Sequence, residues 1–301
     1  MLAAKSTHRP VPHRARRVLV LFTLAGLCLV MHGCSATRER TVPAIQNRGL
    51  DAQQLSLASD SCFGGLPRDT KVDIGPTELV IRKGYVLEHS SVDKIPLWVC
   101  ESVAAGQLMG RLARHNVFRA DPDLKGAKSY PDDYTGSGYD RGHQAPAGNQ
   151  TKDSALKDQT FYMSNIAPQR PSMNRGIWKV LEDKTRSWVI RYGHAYEWTG
   201  PIRCDRQSPL TGQPPCERRT IGKNAVAVPL YFYKIILVHD QSKWKSIAFV
   251  VPNSDFKRPY HLESYIRSIG WIETQTGIDF MPDEPANDRR ALKYSEGPMW
   301  P

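Results

Sequence analysis

The chain has 301 residues and a formal net charge of +11, long enough for one large domain or two small ones. A positive surface concentrates polyanions and speeds their encounter, but many basic proteins bind no nucleic acid, so charge alone selects no function. No internal repeat is present, which argues against a solenoid. No Cys-x-x-Cys spacing occurs among the six cysteines, which argues against a structural zinc site.

Residues 1–34 read as an export leader. They carry Lys5, Arg9, Arg14, Arg16 and Arg17 and no acids, so without them the charge falls from +11 to +6. The basic region precedes an apolar stretch, Val18 to Met31, of roughly signal-sequence length and short for a stable membrane span. Met31-His32-Gly33-Cys34 resembles a lipobox with Met in place of the usual Leu, so Cys34 is the expected site of acylation. An ordinary cleaved signal and an uncleaved anchor are the alternatives. The expected location is the periplasm or the cell envelope, with outer-membrane sorting open because Ser35 follows Cys34.

Residues 35–61 are polar, with few aromatics, and read as a flexible tether. Residues 62–285 read as one α+β domain with a mixed or antiparallel sheet. Strands are expected at 79–81, 94–101, 161–165, 225–238 and 246–251, where β-branched and aromatic residues concentrate. Helices are expected at 107–115, 174–191 and 261–276, and residues 156–160 are ambiguous. Residues 286–301 read as a loosely packed tail. Outside the leader stand Cys62, Cys100, Cys204 and Cys216. An even count in an exported chain suggests disulfides, though four cysteines allow three pairings. Cys204–Cys216 would staple the loop between them, and Cys62–Cys100 would tie the first strands. The histidines His194, His239 and His261 lack a partner motif and read as structural or solvated. Trp98, Trp188, Trp198 and Trp271 read as core.

The chemistry concentrates in residues 139–149, Tyr-Asp-Arg-Gly-His-Gln-Ala-Pro-Ala-Gly-Asn. Glycines before it and a Pro-Ala-Gly turn after it suggest irregular backbone beside a strand, where catalytic side chains are often held. Arg141 offers a planar fork that matches phosphate oxygens. His143 can take a proton from water once it is neutral, so activity is expected to fall in acid. A second group follows: Asn165 to Gln169, then Asn174, Trp178, Glu182 and Arg186 at four-residue steps on the expected helix. An amide oxygen and a nearby carboxylate are hard ligands suited to Mg²⁺, which keeps most of its waters. From spacing alone Asn174 reads equally as a helix cap, and Glu182–Arg186 as a solvent ion pair.

Taken together, Asp140-Arg141-Gly142-His143 with Gln144-Ala145-Pro146, the Asn165-to-Gln169 stretch and the Asn174, Trp178, Glu182 helix resemble the DNA/RNA non-specific endonuclease family. These are the ββα-metal nucleases that include the Serratia nuclease and endonuclease G. Further landmarks, such as Phe118 to Pro122 and Thr276 to Phe280, extend the likeness over about residues 62–285. The resemblance implies a ββα-metal motif with His143 as general base and Asn174 as the single direct protein ligand of Mg²⁺, or of Mn²⁺ in its place. Glu182 would orient water around the metal. Arg141 and Arg186 would hold phosphate and stabilise charge building on it. Asp140, Gln169 and Asn165 would support the loop. The family also uses an arginine upstream of the signature, for which Arg114 and Arg119 are both candidates.

The expected function is an exported, Mg²⁺-dependent, non-specific endonuclease hydrolysing DNA and RNA. Little sequence preference is expected, since backbone phosphate and not base edges would be bound. Membrane attachment would run through acylated Cys34, and the resemblance also admits a homodimer. The alternative is a catalytically silent envelope protein that binds nucleic acid or a partner on a nuclease scaffold.

Overall fold

Strict alternation along Tyr231–Asp240 sends Phe232, Ile236 and Val238 to one face of a sheet and Tyr233, Ile235 and Leu237 to the other. A strand buried on both faces needs cover on both, and that requirement sets the layers. A computed structural model describes residues 49–70, 75–113, 117–203, 217–294 and 297–301. Its principal elements are α1 (Ala52–Ser61), β1 (Thr77–Ile81), β2 (Val86–Ser90), β3 (Ile95–Ala104), β4 (Asp140–His143), α2 (Ser154–Gln159), β5 (Ile166–Gln169), α3 (Lys179–Tyr192), β6 (His194–Ile202), β7 (Tyr231–Asp240), β8 (Lys243–Pro252), α4 (Ile269–Thr276) and α5 (Ala286–Lys293). Six strands form one antiparallel sheet in the order β8-β7-β6-β3-β2-β1. On one face lies α3, through Leu181, Trp188 and Val189. On the other lie α1, α4 and α5, through Ala58, Ile272 and Leu292. The α+β class is as expected. Trp98, Trp188 and Trp198 are buried in the core and Trp271 is half-buried.

Several elements differ from expectation for identifiable reasons. Residues 52–61 are helical and not part of a tether. Asp51 and Gln54 form a reciprocal capping box at its start, and Ala58 is buried. Cys62, which caps its end, is bonded to Cys100 on β3. The described part of the expected loose tail, residues 286–294 and 297–301, is packed. It contains α5, and Trp300 packs its ring 5.1 Å from Trp188. Of the helix expected at 107–115, the described residues hold only the end of a short 3₁₀ turn, Ala105–Met109, and residues 114 and 115 lie outside the described residues. The turn ends at Gly110, where an added Cβ would lie 1.9 Å from the Thr151 carbonyl oxygen. The strand expected at 161–165 is displaced. Met163–Asn165 is a 3₁₀ turn, and pairing begins at Ile166. The expected 225–238 strand breaks between Val226–Ala227 and Tyr231–Asp240, with Pro229 in the gap. The expected 261–276 helix divides into a turn, Leu262–Tyr265, and α4, whose cap Ser268 accepts from the Trp271 amide. Strands β2 and β6 were not anticipated. Among the described residues no helix is long and apolar enough to cross a membrane. Cys34, Arg114, Cys204 and Cys216 lie outside the described residues, as does the leader.

On β2, His89 is fully buried. Burial, partly opposed by Glu78, lowers its pKa from the ordinary 6.5 to about 4. The unfolded chain therefore binds a proton at His89 between those values and the folded chain does not, so stability falls as pH falls through this window. Comparing urea unfolding of wild type and His89→Leu isolates this contribution. The difference should shift in the variant's favour by about 3 kcal/mol between pH 7 and pH 4. A difference independent of pH would show that His89 is not buried neutral.

Candidate active site

The site begins with a two-stranded ribbon. Strands β4 and β5 pair antiparallel, with Asp140 opposite Gln169 and His143 opposite Ile166. The signature segment is thus itself a strand and not irregular backbone. Alternation puts Arg141 and His143 on the same face. Gly142 between them is required by packing, because an added Cβ would lie 2.2 Å from the Gln169 side chain. Asn165 fixes the chain beyond His143. Its Oδ1 accepts from the Ala145 amide at 2.8 Å, and its Nδ2 donates to the carbonyls of Ala145 and Thr160, both at 2.9 Å. Those bonds are fully buried, and they explain why the segment turns before β5 starts.

The facing wall is helical. Met173–Trp178 forms a π turn that leads directly into α3. Gly176 departs from helical backbone there, with φ −105° and ψ −110°, and the Tyr260 hydroxyl fills the space a side chain would need. The wider turn changes the phase of the expected four-residue row. Trp178 rotates into the core, 5.9 Å from the Phe232 ring, while Asn174, Glu182 and Arg186 line a cavity together with Arg141 and His143.

Asp140 joins the two walls. Its Oδ2 accepts from Asn174 Nδ2 at 2.9 Å and from Arg175 Nε at 2.8 Å. A carboxylate only accepts, so it dictates that the Asn174 amide nitrogen faces the ribbon and its carbonyl oxygen faces away. His143 is buried, with its ring edge-on to Phe161 at 4.9 Å and near Phe118 at 5.4 Å. Arg141 donates from Nη2 to the Pro131 carbonyl and lies 5.3 Å from the Phe118 ring centre. Arg186 pairs with Asp183, and its Nη1 lies 3.5 Å from Asn149 Oδ1. Asn149 in turn donates to Glu101 Oε1 at 3.1 Å.

The cavity, about 380 Å³, is lined by the cations Arg141, Lys157, Arg175, Lys179 and Arg186 and by one carboxylate, Glu182. Burial raises the Glu182 carboxyl above its ordinary pKa, and Lys234 and Arg186 hold it back. This arrangement suits a polyanion. A neutral imidazole could deprotonate water beside an anion gripped by the two arginines. Among the described residues no group of three or more His, Cys, Asp or Glu side chains could hold a metal. Asn174 and Glu182 supply hard oxygen donors instead, a set that fits a cation retaining most of its water.

Seven of the residues singled out from sequence, Asp140, Arg141, His143, Asn165, Asn174, Glu182 and Arg186, form or support one cavity, and Gln169 packs behind it. Arg119 is not among the cavity's lining residues. Its guanidinium stacks 4.1 Å from the Tyr162 ring centre and donates to the Val117 carbonyl. Sequence reasoning missed Lys157, Arg175, Lys179 and Asn149. Arg175 and Lys179 could have been found from their helical proximity to Asn174. Lys157 carried no motif.

The profile of the DNA/RNA non-specific endonuclease family matches residues 70–287. The chain belongs to this family. It is 34% identical over 212 residues to mitochondrial endonuclease G of Homo sapiens, an alignment covering 69% of this chain and 71% of that protein. Nuclease C1 of Cunninghamella echinulata var. echinulata is also 34% identical, over 66% of this chain and 81% of its own. A crystal structure of EndoG in complex with EndoGI superposes with a TM-score of 0.65 at 29% identity, covering 72% of this chain and 90% of that one. The protein is thus a nuclease of the DNA/RNA non-specific endonuclease family.

If Asp140 orients Asn174, then Asp140→Ala should lower the rate of plasmid cleavage by about 10- to 100-fold with the melting temperature little changed. Asp140→Asn keeps one acceptor for the Asn174 amide and should recover part of the loss. Wild-type cleavage by the alanine variant would refute the orienting role.

Proposed function

We propose that this nuclease hydrolyses DNA and RNA with Mg²⁺ as cofactor, leaving 5′-phosphorylated fragments. The observation that carries the reading is one cavity in which the ribbon presents His143 and Arg141 to the Asn174, Glu182 and Arg186 face of the helix. Asn174 would hold the ion through its carbonyl oxygen, with Glu182 steadying the water around it. When bound, the ion would neutralise charge on the phosphate oxygens and on the departing 3′ oxygen. His143 takes a proton from the attacking water as the new P–O bond forms and the P–O3′ bond breaks, and the departing 3′ oxygen takes a proton from solvent. Arg141 and Arg186 grip the non-bridging oxygens and stabilise the added charge. None of these groups is committed to a base edge, so little sequence preference follows.

Cleavage of plasmid and of RNA by the purified protein should require Mg²⁺ and stop in EDTA. His143→Ala should slow both by about a hundredfold or more. Retention of full activity by that variant would overturn the general-base assignment.

Export and lipid attachment at Cys34 are part of the same proposal. They rest on the leader sequence, and the Cys62–Cys100 disulfide supports an oxidising compartment. Mass spectrometry of the natively expressed protein should find an N-terminal acylated Cys34. An intact or unmodified N-terminus would sink the lipoprotein assignment.

A further inference from the structure

The cations lining the cavity fall into two groups. Arg175 is paired with Asp140, and Lys179 and Arg186 are both paired with Asp183. Arg141 and Lys157 have no carboxylate partner among the described residues. Arg141 belongs to the family signature, and Lys157 does not. Lys157 projects from α2 and is only 7% exposed. Its ammonium donates to the Leu112 carbonyl at 2.6 Å, and that is its one hydrogen-bond acceptor among the described residues. An ammonium carries three donors, so the remaining two need acceptors. Withdrawing an unpaired charge from water is costly, and a fold tolerates it where a ligand supplies the counter-charge.

The identity of that ligand follows from charge. A phosphodiester carries one negative charge, and Arg141 and Arg186 already face the one being cleaved. Lys157 comes from a third element, neither the ribbon nor α3. A nucleic acid offers a further phosphate at each step along its backbone. We propose that Lys157 binds the phosphate adjacent to the scissile one, and so favours a polymer over a substrate with a single phosphodiester. This rests on the phosphodiesterase reading above.

The test uses the full chain with Lys157→Gln, which keeps a donor for the Leu112 carbonyl but no charge, and with Lys157→Arg, which keeps the charge. In EDTA, binding of a single-stranded oligonucleotide is followed against salt. The slope of log affinity on log salt should become shallower by about 0.7 in the glutamine variant and return toward wild type in the arginine variant. In Mg²⁺, the loss of kcat/KM on oligonucleotide should exceed that on bis(p-nitrophenyl) phosphate by about tenfold, mainly through KM. An unchanged salt slope, with only a lowered melting temperature, would reduce Lys157 to a latch on the Leu112 segment. Equal losses on the two substrates would place it at the scissile phosphate, and either result overturns the proposal. If wild type cleaves neither substrate yet the salt slopes differ as stated, the phosphate contact stands and the hydrolytic reading falls.

Discussion

The Asp140 carboxylate is the constraint on which the site depends. One residue of the ribbon accepts hydrogen bonds from two residues of the helical wall, Asn174 and Arg175. The general base candidate and the metal-ligand candidate stand on separate elements, and neither element alone fixes their relation. Asp140 removes that freedom. It also selects between two orientations of an amide that packing would barely distinguish, because a carboxylate repels the carbonyl oxygen and accepts only the nitrogen. Its other oxygen binds Arg175 at 2.5 Å, so the charge needed to orient Asn174 is balanced locally. The ribbon is held equally firmly from behind, by Gln169 packed against Gly142 and by the Asn165 bonds to Ala145 and Thr160.

Beneath α3 the sheet carries charge where a core would ordinarily be apolar. Glu101 and Glu197 stand directly opposite each other on β3 and β6, and Lys234 of β7 donates to Glu197 at 2.9 Å and to Thr199 at 2.7 Å. Two buried carboxylates face to face would repel strongly if both were ionised. Burial first, and then Glu197, raises the Glu101 carboxyl well above its ordinary range. Burial works against the Lys234 charge, but Glu197, Glu101 and Glu182 outweigh it and the ammonium stays protonated. The cluster centres on the Lys234–Glu197 ion pair, with Glu101 directly opposite Glu197. It is connected to the cavity, since Glu101 holds Asn149, which lies beside Arg186. Replacing one partner of such a pair would strand a buried charge and cost about 3–5 kcal/mol. The polar centre thus couples fold stability to the position of Arg186, which lines the cavity.

The parts of this site that were legible in the sequence are those fixed by local chemistry. Arg141 and His143 are two apart on a strand, and Glu182 and Arg186 are four apart on a helix, so each pair shares a face whatever the tertiary context. The phase between Asn174 and Glu182 was not legible, because it depends on the π turn at Gly176 and on Tyr260 packing there from a distant loop. The Glu101, Glu197 and Lys234 cluster was hidden for a related reason. Glu101 stands at the end of an expected strand, Lys234 inside another and Glu197 in a segment not expected to be a strand, and only the pairing of β3, β6 and β7 brings them together. The ends of the domain were misread because composition was used where capping and burial decide. Polar α1 is held by its capping box and the disulfide to Cys100, and the charged C-terminal segment is held by Trp300 and by Lys293 bonded to Asp279.

Carboxylate pairing divides the cations of the cavity into two sets. Arg175, Lys179 and Arg186 each have a carboxylate, so they shape the wall and contribute field at modest desolvation cost. Arg141 rests on a carbonyl and an aromatic face, and Lys157 on a carbonyl. Those partners hold a cation in place without neutralising it. A nuclease needs both kinds. A cavity whose cations were all paired would offer a polyanion little net attraction, and one whose cations were all unpaired would destabilise its own fold. Dividing the roles lets the Asp140 and Asp183 pairs carry the geometry while Arg141 and Lys157 leave uncompensated charge in the cavity that His143 also lines.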